Sequence, residues 1–252
     1  MELKDRDLIS VQETRELLAQ ANEAAKKLAL MDQRQIDTIV KAISDAGAAH
    51  AEALAAEANE ETGFGIKQDK AVKNLFAAKT VYEAIKNQRT VGIIREDREH
   101  QVWDIGVPVG VIAGLVPSTN PTSTVIYKAM IALKGGNAIV FSPHPSAKNC
   151  ILRTVHFLAE AAEAAGCPRG AISAITTPTM EATQELMKHK YTALILATGG
   201  GAMVKAAYSS GTPAIGVGAG NGPAFIDKSA NVEQAVKRIL DSKTFDNGMI
   251  CA

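Results

Sequence analysis

Val109-Gly110-Val111-Ile112-Ala113-Gly114-Leu115-Val116-Pro117-Ser118-Thr119-Asn120-Pro121-Thr122 is the stretch on which the fold turns. An apolar run over 109–116 ends at a proline and is followed by small polar residues and Asn-Pro. It reads as a buried strand, a loop and a helix start, because Asn serves as an N-cap and proline fits the first helical position. The helix predicted over 122–134 stops at Gly135-Gly136, where glycine tolerates the left-handed C-cap. The unit then recurs. Further strands are predicted over 137–142, 171–175, 192–197, 213–217 and 223–227, and helices over 146–166, 179–190, 202–210 and 231–242. Strand–helix alternation of this kind gives an α/β fold with a mainly parallel sheet covered on both faces. Ligands of such sheets bind at the carboxyl ends of the strands.

Upstream the texture is helical. Leu8, Val11, Leu18, Ala21, Ala25 and Leu28 form a stripe at helical spacing. Asp32 with Gln35 is a capping-box signal for a second helix that should fade at Glu61-Thr62-Gly63. A third helix is predicted over 67–87, with Val72, Leu75, Phe76 and Tyr82 on its buried side. The first helix is read as packed on its own domain rather than as an encapsulation tag. Residues 90–95 and 101–105 form a predicted hairpin around the charged turn Glu96-Asp97-Arg98-Glu99.

Composition bounds the function. Of 252 residues, 46% are hydrophobic, and 27 Lys+Arg balance 27 Asp+Glu. That balance offers no electrostatic case for nucleic acid or an anionic membrane, and no apolar run reaches membrane-spanning length. The first residues lack the apolar core of a signal peptide. Three cysteines (150, 167, 251) and no Cys-x-x-Cys pair point to free thiols in a reducing cytoplasm. Five scattered histidines give no metal-ligand spacing.

Four loops follow the strands. In the first, Asn120 is either a plain N-cap or a side-chain amide placed to hold a developing alkoxide. In the second, Ser142-Pro143-His144-Pro145, the histidine reads as a turn residue unless a ribose or phosphate lies beside it. The third, Thr198-Gly199-Gly200-Gly201, puts bare backbone at a helix start, which favours pyrophosphate; the Gly-x-Gly-x-x-Gly pattern fails because Val204 stands at its third glycine. The fourth, Gly216-Val217-Gly218-Ala219-Gly220-Asn221-Gly222, suits close backbone approach or a mobile loop. Beyond them, Phe245-Asp246-Asn247-Gly248-Met249-Ile250-Cys251 sets a cysteine after a turn signal; taken alone, such a cysteine is usually a small core hydrophobe.

In this order the blocks resemble the aldehyde dehydrogenase superfamily, and within it the coenzyme A-acylating branch. The residues that carry the resemblance are Pro117-Ser118-Thr119-Asn120-Pro121-Thr122-Ser123-Thr124, Phe141-Ser142-Pro143-His144-Pro145, Ala197-Thr198-Gly199-Gly200, Val204-Lys205-Ala206-Ala207-Tyr208-Ser209-Ser210-Gly211, Gly216-Val217-Gly218-Ala219-Gly220-Asn221 and Lys243-Thr244-Phe245-Asp246-Asn247-Gly248-Met249-Ile250-Cys251. The resemblance implies N-terminal helices on a Rossmann-like sheet, divided as 1–106, 107–243 and 244–252, with most of a C-terminal catalytic domain lying beyond this chain. It implies Cys251 as nucleophile and Asn120 as oxyanion contact. Leu115, Val116, Pro117, Ser118, Thr119, Asn120, Gly199, Gly200 and Gly218 would line an NAD site, with Ser142 and His144 on its adenosine side. Coenzyme A would accept the acyl group of a small aldehyde. Val217 falls where hydrolytic relatives carry a water-activating glutamate. A thiol ionises near pH ~8.5 and needs less help than water, so losing the carboxylate favours thiolysis. The family further implies a homo-oligomer at full length, cytoplasmic or housed in a bacterial microcompartment. Rival readings are a hydrolytic aldehyde dehydrogenase, an acyl-phosphate reductase and a non-catalytic nucleotide-binding fragment.

Overall fold

The computed structural model describes residues 4–250. The chain opens with α1 (Arg6–Leu28), capped by the Asp5 carboxylate, which accepts from the Asp7 and Leu8 amides at 2.9 and 3.0 Å. The expected stripe is buried from Leu18 to Leu28, so α1 spends this face on its own core. Its first turns differ. Leu8 is 56% exposed, and Ser10 and Thr14 are buried instead, with the Ser10 hydroxyl 2.6 Å from that of Thr179. Helix α2 (Gln33–Ala49) starts with the Asp32–Gln35 capping box. The chain breaks at His50, whose ring stacks on Phe157 at 3.8 Å, and restarts as α3 (Ala51–Thr62), closed by left-handed Gly63.

The next helix corrects the sequence reading. It comprises α4 (Lys67–Leu75), a π-helical turn over Phe76–Thr80 and α5 (Val81–Ile85). A π turn inserts an extra residue and rotates the following face, so a single 3.6-residue stripe cannot run through it. Before the turn, α4 already buries Lys70 and Asn74 and leaves Val72 and Leu75 exposed; within it, Phe76 is exposed while Ala77 and Ala78 are buried. Ser44 of α2 donates to the Ala78 carbonyl at 2.8 Å within the π turn.

The hairpin forms as expected, with β1 (Gly92–Asp97) antiparallel to β2 (Val102–Gly106). Then come β3 (Val111–Leu115), α6 (Pro121–Lys134), β4 (Ala138–Ser142), α7 (Lys148–Ala164), β5 (Ile172–Ala174), α8 (Met180–Lys188), β6 (Thr192–Thr198), α9 (Gly201–Tyr208), β7 (Ala214–Val217) and α10 (Val232–Thr244). The sheet is parallel throughout, in the order β5-β4-β3-β6-β7. Every residue of β3 and β4 is buried, as a central parallel strand covered on both faces must be. Gly114 is required there: a Cβ would lie 2.7 Å from the Phe141 ring.

The predicted strand over 223–227 is absent. These residues are irregular and exposed, with Phe225 at 90% exposure. Pro223 offers no N–H to a ladder, and β7 gains no further neighbour among the described residues.

Carboxylates from the N-terminal helices tie them to the sheet half. Glu61 accepts from the Asn149 and Cys150 amides at the start of α7, at 2.8 and 2.7 Å, where the helix dipole favours negative charge. Glu13 accepts from the Thr176 and Thr177 amides in the same manner, at 2.7 and 3.1 Å. One cluster of buried apolar residues runs through both parts.

Candidate active site

The order of strand addition reverses at β3: β4 and β5 lie on one side of it, β6 and β7 on the other. The crevice at such a switch point, beyond the carboxyl ends of the strands, is where ligands bind. In register, Leu115 is paired with both Ser142 and Ala197, and Thr198 with Val217. The loops holding Leu115 to Asn120, Ser142 and His144, Gly199 and Gly200, and Gly218 therefore leave one edge of one sheet. Beneath it, the buried Lys128 of α6 donates to the carbonyls of Leu115 and Leu196, both at 2.7 Å, and so joins the ends of β3 and β6. Burial pulls its pKa from 10.5 to about 7.

The individual loops differ in what they offer. Gly200 is the extended N-cap of α9, and a Cβ on Gly200 or Gly201 would meet nothing within 4 Å. Packing therefore does not demand glycine there, whereas a closely approaching ligand would. The Ser142 hydroxyl is buried and engaged with that of Thr183 at 2.8 Å. His144 is exposed, and its Nδ1 accepts from the Ser146 amide at 3.3 Å, capping the short helix Pro145–Ala147.

Asn120 stands at the N-cap of α6 with Pro121 behind it, yet its side chain makes no capping bond. Its Oδ1 accepts from Lys73 Nζ at 2.7 Å, and its Nδ2 donates to Thr119 Oγ1 at a long 3.3 Å. Of the two readings of this residue, the side-chain cap is absent.

Lys73 leads to the loop that precedes the cysteine. Its ammonium also reaches Asp246 Oδ2 at 2.5 Å and the Met249 carbonyl at 2.8 Å. Asp246 is fully buried. Its Oδ2 takes a second ammonium, Lys70, at 3.3 Å, and its Oδ1 accepts from the Ile66 amide at 2.6 Å. Lys70 in turn donates to the Thr119 carbonyl at 2.9 Å, and the Asp246 amide donates to Asp69 at 2.8 Å. Asp246, Asn247 and Gly248 all have left-handed backbone, at φ 51°, 55° and 74°. Asp and Asn are the side-chain-bearing residues that best tolerate this region, and the ion cluster holds the turn in it. Burial holds the Lys73 ammonium below its usual range, against the pull of Asp246. Asn74 completes the polar face of α4, donating to the Ala51 carbonyl and accepting from Thr122 of α6.

Sequence reasoning missed Lys70, Lys73 and Asp246 as site residues. The available signal was the spacing Lys70, Lys73, Asn74, a helical stripe written in polar side chains opposite an apolar face. Cys251 lies outside the described residues. The other two cysteines are buried; burial raises the Cys150 thiol strongly and pushes Cys167 up to about 12.

A parallel sheet with a switch-point crevice, a glycine ledge at a helix start and an amide clamped to the loop over residues 246–249 make an open α/β architecture with its ligand crevice at the carboxyl ends of the strands. The chain belongs to the aldehyde dehydrogenase family, whose model matches residues 4–252. It is 47% identical over 243 residues to the bifunctional aldehyde-alcohol dehydrogenase AdhE of Escherichia coli K12, covering 96% of this chain and 27% of that protein. The crystal structure of an acetylating aldehyde dehydrogenase from Geobacillus thermoglucosidasius superposes with a TM-score of 0.97 at 59% identity, over 99% of this chain and 55% of that one. A Rhodopseudomonas palustris propionaldehyde dehydrogenase, solved with bound coenzyme A and an acylated cysteine, matches with a TM-score of 0.81 at 32% identity, over 94% of this chain and 54% of its own. The chain thus spans about half the length of the solved relatives and a quarter of the bifunctional one.

Proposed function

We propose that this chain is the nucleotide-binding part, with the nucleophile, of a coenzyme A-acylating aldehyde dehydrogenase: aldehyde, coenzyme A and NAD give acyl-CoA, NADH and a proton. Residues 107–243 form the dinucleotide unit, 1–106 its helical support, and 244–252 the start of the catalytic part. The observation that carries the proposal is the clamp from Asn120 through Lys73 to Asp246 and Met249, which ties the cysteine loop to the rim of the crevice.

The Cys251 thiolate adds to the aldehyde carbon, and the carbonyl π electrons move to oxygen. Asn120 Nδ2 and the Cys251 amide hold that alkoxide. NAD, when bound, supplies the hydride acceptor; Leu115 to Asn120, Gly199, Gly200 and Gly218 would hold it. The open ledge at Gly200 and Gly201 fits a pyrophosphate. Loss of hydride from the thiohemiacetal leaves an acyl thioester on Cys251. The thiol of coenzyme A, as thiolate, attacks the acyl carbon and expels the Cys251 sulfur. Val217, at the end of β7, provides no carboxylate to activate water, which favours this outcome over hydrolysis. The acylated cysteine and bound coenzyme A of the Rhodopseudomonas relative support the same sequence of steps.

The test is product analysis on the full-length protein with aldehyde and NAD, with and without coenzyme A. NADH formation should require coenzyme A and match thioester formed. Free carboxylic acid produced at the same rate without any acceptor thiol would overturn the proposal.

A further inference from the structure

Lys73 is about nine-tenths buried, and its three ammonium protons meet three acceptors: Asn120 Oδ1, Asp246 Oδ2 and the Met249 carbonyl. An ammonium is a donor only. The amide of Asn120 must therefore turn its oxygen toward Lys73, and its NH2 group is left for other work. Among the described residues that group's one partner is the Thr119 hydroxyl, at the long distance of 3.3 Å. The same ammonium grips the backbone two residues before Cys251. A side chain with both donor and acceptor character would not dictate the amide's orientation.

We propose that Lys73 is a positioning residue for the reaction: it fixes Asn120 with Nδ2 presented as the alkoxide donor, in register with the loop that carries the nucleophile. Lys73 acts through Asn120 and touches no reacting atom. Asp246 is the anion that keeps the ammonium in place, and Lys70 braces that anion while holding the Thr119 carbonyl. The inference rests on the functional reading above, in which Asn120 serves the alkoxide.

The experiment is a double-mutant cycle in the full-length protein, read as kcat and KM for acyl-CoA formation. Asn120→Ala should lower kcat about 10²–10³-fold. Lys73→Met should lower it about 10²-fold, the scale of a displaced catalytic group, with KM for NAD changed by less than about threefold. The double variant should be no slower than Asn120→Ala by more than about threefold, because the amide that Lys73 orients is gone and Lys70 still pairs with Asp246 in the cysteine loop. If the Lys73→Met loss recurred in full on the Asn120→Ala background, or fell on KM alone, Lys73 would be a structural ion-pair partner and the inference would be overturned. If Lys73→Met does not fold, Lys73→Gln carries the same expectation; it leaves Asp246 a neutral donor but lets the Asn120 amide flip. Absence of acyl-CoA formation by the unsubstituted protein would instead overturn the functional reading, and the inference with it.

Discussion

Replacing Lys128 with methionine should change how stability depends on pH more than it changes the fold. The Lys128 side chain is 1% exposed, and its Nζ has two carbonyl acceptors, those of Leu115 and Leu196. A neutral amine has two protons to give, which matches. Burial depresses its pKa from 10.5 to about 7. Above about pH 7 the folded chain has shed a proton that the unfolded chain keeps until pH 10.5, so raising the pH across this window favours folding. At about 1.4 kcal/mol per unit, going from pH 7 to pH 9 adds about 2 kcal/mol of stability through this one group. Methionine has similar volume and no titration, so the variant lacks this increment. Urea unfolding of both proteins at pH 7, 8 and 9 isolates it, because every other ionisation is common to the pair. The parent should gain about 2 kcal/mol on the variant over that range. A gap that stayed flat, or narrowed with rising pH, would mean that the lysine remains charged in the fold, and the argument from burial would fail.

Asp246→Ala leaves Lys70 and Lys73 buried without their anion, and should cost about 3–5 kcal/mol; a loss below about 1 kcal/mol in chemical unfolding would show that the cluster does not hold the loop. Gly65→Ala adds a Cβ only 2.0 Å from Asp246 Oδ1 at a residue with φ 71°, so it should displace the cysteine loop. Faster hydrogen exchange at the Ile66 and Asp246 amides is the expected sign, and unchanged protection would count against the contact. Under native conditions near pH 8 an alkylating reagent should modify Cys251 well before Cys150 and Cys167, whose burial disfavours the thiolate. Mass spectrometry showing equal labelling of the three would remove the case for a tuned nucleophile.

The sequence by itself determined the periodic elements and the edge at which the loops gather. The run 109–116, the N-cap and proline at 120–121 and the Gly135-Gly136 stop act within a few residues, so propensity and pattern report them directly. The same holds for the capping box at Asp32 and the left-handed close at Gly63. What failed were readings that needed distant partners. The apolar run at 223–227 had no strand to pair with. The π turn at Phe76–Thr80 rotated a face that spacing alone would have kept continuous. Only tertiary structure decided that the buried face of α4 is its polar one. A buried charge is tolerable only where an opposite charge or aligned carbonyls meet it, and those of Lys70 and Lys73 lie on residues 119, 120, 246 and 249, which no local pattern joins to residue 70.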